Sequence, residues 1–210
     1  MLKIAAIFDV DRTLIRLPSE RLFFLYLLQR RVLTVPRAVI FFTQLLHYHR
    51  QRHSNKFYLQ GLEAVKVRRL AQDCYRCLIR PRLSAVGLAR LQEHQRQGHQ
   101  TIILTGSLEY LMQPMHEDLK THWLIATRLE VKDGLCTGRI QGQHPRGIHK
   151  LHLLQELAQK AGFDLAQSYA YADHISDLPL LQHVGYPIAI NPSSALRTLA
   201  CQQAWPIQRF

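Results

Sequence analysis

Residues 4–15 read Ile-Ala-Ala-Ile-Phe-Asp-Val-Asp-Arg-Thr-Leu-Ile. Ala5, Ala6, Ile7 and Phe8 run without a polar break into Asp9, and Asp11 follows two positions later. An all-apolar run of this length predicts a central strand buried on both faces. Carboxylates just past the carboxyl end of such a strand stand where open α/β sheets place their chemistry. Two anions so close repel each other unless a cation lies between them. A hard, oxygen-seeking ion such as Mg²⁺ suits the pair. Read alone, the pair also fits an ordinary strand end opening a turn, where Asp is common.

Outward from this stretch, the next residues change period. Ser19 or Pro18 opens a helix through Leu28, apolar nearly all round, which predicts burial on two sides or contact with a lipid surface. Pro36 starts a second helix, and Ser54-Asn55 caps a third carrying Tyr58, Leu62, Val65 and Leu70. No strand-like alternation is visible over 16–80, so this segment is expected to be a helical insertion closed by Pro81. An amphipathic helix from Leu83 ends at Gly98, and Thr101–Leu104 forms a second buried strand. That strand delivers Thr105-Gly106-Ser107 to a helix start, a layout in which hydroxyls and free amides face an anion, or simply a turn with an N-cap.

Trp123–Ala126 predicts a third strand, and Asp133-Gly134 a hairpin joining Leu129–Lys132 to Leu135–Ile140. Lys150 stands near the start of a helix stopped by Gly162. Ser168–Ala172 forms a strand ending at Asp173, Asp177 opens a short helix, and Pro187–Ile190 is the last strand. Strands alternating with helices imply a mostly parallel, doubly wound sheet.

The 210 residues suit one core with an insertion better than two independent domains. The longest apolar run, Leu22–Leu28, is far short of the ~20 residues that cross a bilayer. Met1-Leu2-Lys3 leads directly into the first strand, so the expectation is a cytoplasmic protein without a signal peptide. Cys74 and Cys77 have no matching second pair for zinc and are expected to share a helix face. His49 and His53 share a helical face but have no acidic partner nearby. The net charge of +12 is uneven. Residues 16–80 hold thirteen Lys/Arg against three acids, a net +10, whereas residues 101–210 are neutral. A basic insertion with Phe and Tyr among its arginines would face a phosphorylated substrate, an anionic lipid surface or nucleic acid.

Four strand ends or helix starts thus carry Asp9/Asp11, Thr105/Gly106, Lys150 and Asp173/Asp177. Their order and spacing resemble the four signatures of the haloacid dehalogenase superfamily over essentially the whole chain. The insertion after the first signature resembles the cap of its phosphoserine-phosphatase-like branch. The resemblance implies a Rossmann-like core of residues 1–15 and 81–210 with a helical cap of 16–80, and a Mg²⁺-dependent phosphatase acting on an anionic phosphorylated small molecule. It implies Asp9 as nucleophile, Asp11 as acid and base, and Thr105, Gly106 and Lys150 on the phosphoryl group. Mg²⁺ would be held by Asp9, the Asp11 carbonyl and Asp173, with Asp177 behind them or paired with Lys150. A phosphotransferase shares every one of these features, and a basic binding protein with a vestigial site is the alternative from another class. No obligate protein partner is evident.

Two departures stand out. The fourth signature reads Ala172-Asp173-His174 where glycine usually precedes the aspartate. Position 18, where the resemblance places a glutamate that reads the phosphoserine amine, is proline, with Glu20 two residues on. On spacing, this speaks against phosphoserine as substrate.

Overall fold

The computed structural model describes residues 3–33 and 56–210. Strand β1, Ala5–Phe8, is buried at all four positions and lies at the centre of a seven-stranded sheet. The others are β2 (Gln100–Leu108), β3 (Trp123–Lys132), β4 (Leu135–Gln141), β5 (Tyr169–Ala172), β6 (Tyr186–Ile190) and β7 (Ile207–Gln208). Their order is β4-β3-β2-β1-β5-β6-β7, and every pairing except β3–β4 is parallel. The chain therefore leaves β1 toward one edge and returns at β5 on its other side. That reversal opens a crevice at the carboxyl ends of β1 and β5.

The helices are α1 (Ser19–Gln29), α2 (Ala64–Cys74), α3 (Ala85–Arg96), α4 (Glu109–Asp118), α5 (Ile148–Ala161), α6 (Leu178–Leu181) and α7 (Ser194–Gln202). Side chains alternate across a strand, so β1 feeds two cores. Ala5 and Ile7 pack with Leu154 of α5, Leu180 and Leu196, while Ala6 and Phe8 face Leu91 of α3, Tyr171 and Phe210. A third core joins Leu22, Phe23 and Leu27 of α1 and Val67 and Ala71 of α2 to Leu111, Met112 and Met115 of α4. Ser84 caps α3 by accepting from the Gly87 N–H at 3.1 Å. Gly162 ends α5 in the left-handed region at φ 74°, which glycine adopts without a Cβ clash.

Several sequence expectations need correction. Helix α1 is one-sided: Leu22, Phe23, Tyr26 and Leu27 are buried, but Leu25 is 51% exposed. The helix expected from Ser54-Asn55 starts only at Ala64. Those two residues lie outside the described ones, as do the helix from Pro36 and His47, His49 and His53. Phe57–Leu59 is a separate 3₁₀ turn, after which Gly61 turns the chain at φ 74°. The cause is tertiary: the N–H groups of Lys56, Gly61 and Ala64 bond the carbonyls of Gly138, Cys136 and Gly134 at 2.6, 2.9 and 2.9 Å. Sheet-like bonds to the hairpin replace the helical ones.

The third strand and the first arm of the hairpin are one continuous strand, β3, and Pro81 sits inside a 3₁₀ turn, Arg80–Arg82. Cys74 is buried at the end of α2, while Cys77 lies exposed on the following π-helical turn, Tyr75–Ile79. The widened turn separates their faces. Phe23, Tyr26 and Tyr58 are buried in the core, while Phe24 and Phe57 are partly exposed. No helix among the described residues is long and apolar enough to cross a membrane.

Candidate active site

The loop after β1 is wound tightly around one carbonyl. Val10 O accepts from the N–H groups of Thr13, Leu14 and Ile15 at 3.1, 2.9 and 3.1 Å, and Arg12 stands at φ 61°. The Asp9 N–H bonds Tyr171 O at 3.0 Å, continuing the β1–β5 pairing past the end of the strand. Asp9 is thereby fixed over the crevice, while Asp11 is turned back toward α1 and β2.

Lys150, in the first turn of α5, is buried with its ammonium group 2.7 Å from Asp9 Oδ1 and 2.9 Å from Asp177 Oδ2. Gly147 at φ 58° precedes that helix and sets its start. Asp173 follows β5 directly, and its carbonyl accepts from the Ser193 N–H at 2.8 Å. Carboxylate oxygens of Asp9, Asp173 and Asp177 lie within 4.8 Å of one another. Three buried carboxylates thus share one lysine.

The imbalance shows in their acidities. Burial pushes the Asp9 carboxyl up to about 7 against the pull of Lys150. Burial, then the Asp177 charge, raises Asp173 to about 6. Burial works against the Lys150 charge, yet Asp177 and Asp9 hold it above the usual lysine value. A cluster with two carboxylates in excess of its lysine, all oxygen donors, suits a hard divalent cation such as Mg²⁺. The carboxylates that lie close enough together to hold one are those of Asp9, Asp173 and Asp177. Asp177 stands among them as well as pairing with Lys150, and the Asp11 side chain is turned elsewhere.

Asp11 Oδ1 accepts from the Ser19 N–H at 2.8 Å, and Oδ2 accepts from the Ser107 hydroxyl at 2.9 Å. The two serine hydroxyls are 2.6 Å apart. Thr105 and Gly106 line the same cavity as Asp9, Asp11 and Lys150, a space of about 300 Å³. They lie within strand β2, and α4 begins only at Glu109, so the expected helix start at Gly106-Ser107 is displaced. The β2–β3 register shifts between Leu104 and Leu108, which takes Thr105-Gly106-Ser107 out of the regular ladder. Gly106 O accepts from the Thr127 hydroxyl at 2.6 Å. That hydroxyl lies 2.8 Å from His144 Nδ1, which must then carry the proton. A Cβ at Gly106 would stand 3.3 Å from His144 Cε1, so glycine here makes room for the loop before α5.

All seven sequence-predicted residues therefore meet around one cavity. His174 also lines it, with Nδ1 accepting from the Ser176 N–H at 3.1 Å. The sequence reading missed the Glu20–Lys56 ion pair, in which the Lys56 ammonium stands 2.6 Å from Glu20 Oε1. Burial raises the Glu20 carboxyl, and Lys56 pulls it back. Glu20 lines the cavity in spite of its offset in sequence, so the spacing argument against phosphoserine does not follow from the geometry. Ser19 and His144 were missed as site residues, and Ser107 was read only as part of the Thr105-Gly106-Ser107 turn. Only the Ser107 hydroxyl, next to Thr105-Gly106, gave a sequence signal.

The family model of haloacid dehalogenase-like hydrolases matches residues 6–182. The chain belongs to this family. Among similar proteins of the family, a phosphoserine phosphatase of Mycobacterium tuberculosis is 30% identical over 98% of this chain and 70% of its own length. A histidinol-phosphatase of Neisseria meningitidis is 27% identical over 100% of both. A Bordetella pertussis protein of unknown function has a crystal structure similar at a TM-score of 0.87, with 27% identity over 99% of each chain. In this haloacid dehalogenase-like hydrolase the four signature segments are the ones that the sheet reversal brings together.

Proposed function

We propose that this hydrolase is a Mg²⁺-dependent phosphatase that cleaves a phosphomonoester through an aspartyl-phosphate on Asp9. The observation that carries the reading is the buried Asp9–Lys150–Asp177 chain with Asp173 beside it at the sheet reversal. The phosphatase names of its relatives support it.

Asp9 Oδ1 is engaged by Lys150, which leaves Oδ2 to attack phosphorus. As the Oδ2–P bond forms, the ester P–O bond breaks, and Asp11 gives its proton to the leaving oxygen. Asp11 then takes a proton from the water that attacks the aspartyl-phosphate, and Asp9 is restored as inorganic phosphate leaves. The Thr105 hydroxyl and Gly106 amide hold phosphoryl oxygens, and Lys150 offsets their growing charge. Asp9, Asp173 and Asp177, with the Asp11 carbonyl, would hold Mg²⁺, which when bound supplies further positive charge to the phosphoryl group. The segment 16–80 acts as the cap, and Glu20 with Lys56 faces the leaving group from it. A paired carboxylate and ammonium suit a leaving group that carries both donors and acceptors.

Phosphate release from a panel of esters in Mg²⁺ tests this, with phosphoserine and histidinol phosphate included. Turnover that disappears in Asp9→Asn supports the reading. Turnover unchanged in Asp9→Asn overturns it.

A further inference from the structure

We propose that Ser19 and Ser107 are positioning residues for the acid–base carboxylate of Asp11, linking the first turn of α1 to leaving-group protonation. The proposal rests on the phosphatase reading of the site. It draws on groups that the family resemblance did not single out.

Three segments distant in sequence meet at this carboxylate: the loop after β1, the start of α1, and the irregular end of β2. The direction of each bond is fixed by counting protons. Ser107 has one hydroxyl proton and gives it to Asp11 Oδ2 at 2.9 Å. The 2.6 Å contact between the serine hydroxyls therefore has Ser19 as donor. Ser19 O–H points to Ser107, Ser107 O–H points to Asp11, and Ser19 N–H closes the ring on Oδ1 at 2.8 Å. Both serines are buried, at 0% and 2% exposure. Ser19 is not among the residues lining the cavity, so water cannot easily replace its hydroxyl.

The ring also solves a local problem of α1. Pro18, at the N-cap position, supplies no side-chain cap. A helix start leaves its first N–H groups without intrahelical partners, and Asp11 accepts one of them from eight residues away. A carboxylate has about four lone-pair sites. Two are used here, which leaves about two free on a residue that lines the cavity. The Asp11 carboxylate is thus held at both oxygens with lone pairs left for the leaving group. A shift of α1 would break two of the three bonds together.

The test compares two kinds of ester in the first turnover. An alkyl phosphate expels an alkoxide that needs a proton. p-Nitrophenyl phosphate expels an anion that does not. In Ser107→Ala, alkyl alcohol release is expected to slow roughly tenfold to a hundredfold, the range for a lost hydrogen bond to a charged group. The p-nitrophenolate burst should change by less than about threefold, because no acid step limits it. Ser19→Ala should show the same selectivity with a smaller loss. The double variant should match Ser107→Ala, since the Ser19 hydroxyl acts through Ser107. Equal slowing of both esters in variants that keep the wild-type circular dichroism spectrum overturns the positioning role alone, as does no slowing of either. Wild-type protein inert toward both esters overturns the phosphatase reading and the positioning role with it.

Discussion

The Asp11 carboxylate caps helix α1: its Oδ1 accepts the Ser19 N–H at 2.8 Å, while Pro18, at the N-cap position, has no side chain that can accept one. A residue assigned to acid–base chemistry therefore also holds structure. Losing a helix cap costs about 1 kcal/mol, and the Ser107 hydroxyl would be stranded as well. Asp11→Ala is expected to lower stability in urea by about 1–3 kcal/mol, and Asp11→Asn, which keeps an acceptor, by less. Equal stability of Asp11→Ala and wild type would show that the cap carries no energy.

Lys150 is the only cation bonded to the Asp9–Asp177 pair among the described residues. Removing one partner of a buried ionic group leaves uncompensated charge and costs about 3–5 kcal/mol. Lys150→Met should show a loss of that size in metal-free buffer, measured by denaturant unfolding. Adding Asp9→Asn to Lys150→Met should recover part of it, because one stranded charge is then gone. A double variant less stable than Lys150→Met would contradict this account of the pair.

Three carboxylates around one lysine predict that Mg²⁺ binds the folded chain better than the unfolded one. Mg²⁺ at a hundred times its dissociation constant would add about 2.7 kcal/mol, seen as a rise in the thermal midpoint. Asp173→Asn should abolish most of that rise. An equal rise in wild type and Asp173→Asn would place the ion elsewhere.

His94, which does not line the cavity, offers a pH signature of its own. Its Nε2 lies 2.7 Å from the Tyr171 hydroxyl and its Nδ1 lies 2.8 Å from His99 Nδ1. Burial, then His99 and Arg90, lower it to about 4, with Glu93 pulling the other way. The unfolded value is about 6.5, so between those values the unfolded chain binds more protons. Stability from this group is complete above pH ~6.5 and is lost as pH falls toward ~4, up to about 3 kcal/mol. The raised carboxyls of Asp9 and Asp173 act with the opposite sign. The measurement is therefore the difference between wild type and His94→Phe, in which those carboxyls are unchanged. A difference that stays flat from pH 7 to 4 would refute the assignment.

Gly138 holds the segment that brings Lys56 to Glu20. It stands at φ 79°, its carbonyl accepts the Lys56 N–H at 2.6 Å, and a Cβ there would lie 2.9 Å from Phe57 Cα. Gly138→Ala combines left-handed strain with a backbone clash, and should cost about 1–3 kcal/mol. It should also raise KM more than it lowers kcat, because Lys56 faces the leaving group and not phosphorus. An unchanged KM would detach Lys56 from substrate binding.

What the sequence made legible follows from the range of each signal. The β1 run, the Asp133-Gly134 hairpin and the Gly98 and Gly162 helix stops are local patterns, and they appear where expected. Asp9, Lys150, Asp173 and Asp177 were placed together because each ends a strand or begins a helix at the same sheet edge. The α2 boundary was misplaced because bonds to the hairpin turn and β4, at residues 134–138, override the local preference of residues 56–64. Strand β7 is two residues long, too short for a pattern to show. Helix α7 has nine residues with Leu196 and Ala200 buried four apart, a spacing that went unread in the sequence. The Ser19–Ser107–Asp11 ring and the Glu20–Lys56 pair join residues that no spacing rule connects.

The most direct test is where the phosphoryl group rests during turnover. Wild-type protein mixed with a phosphate-labelled ester in Mg²⁺, quenched in acid within one turnover and mapped by peptide, should carry the label on Asp9. Asp9→Asn should carry none. Turnover with no label at Asp9, or label that persists in Asp9→Asn, would contradict the aspartyl-phosphate mechanism.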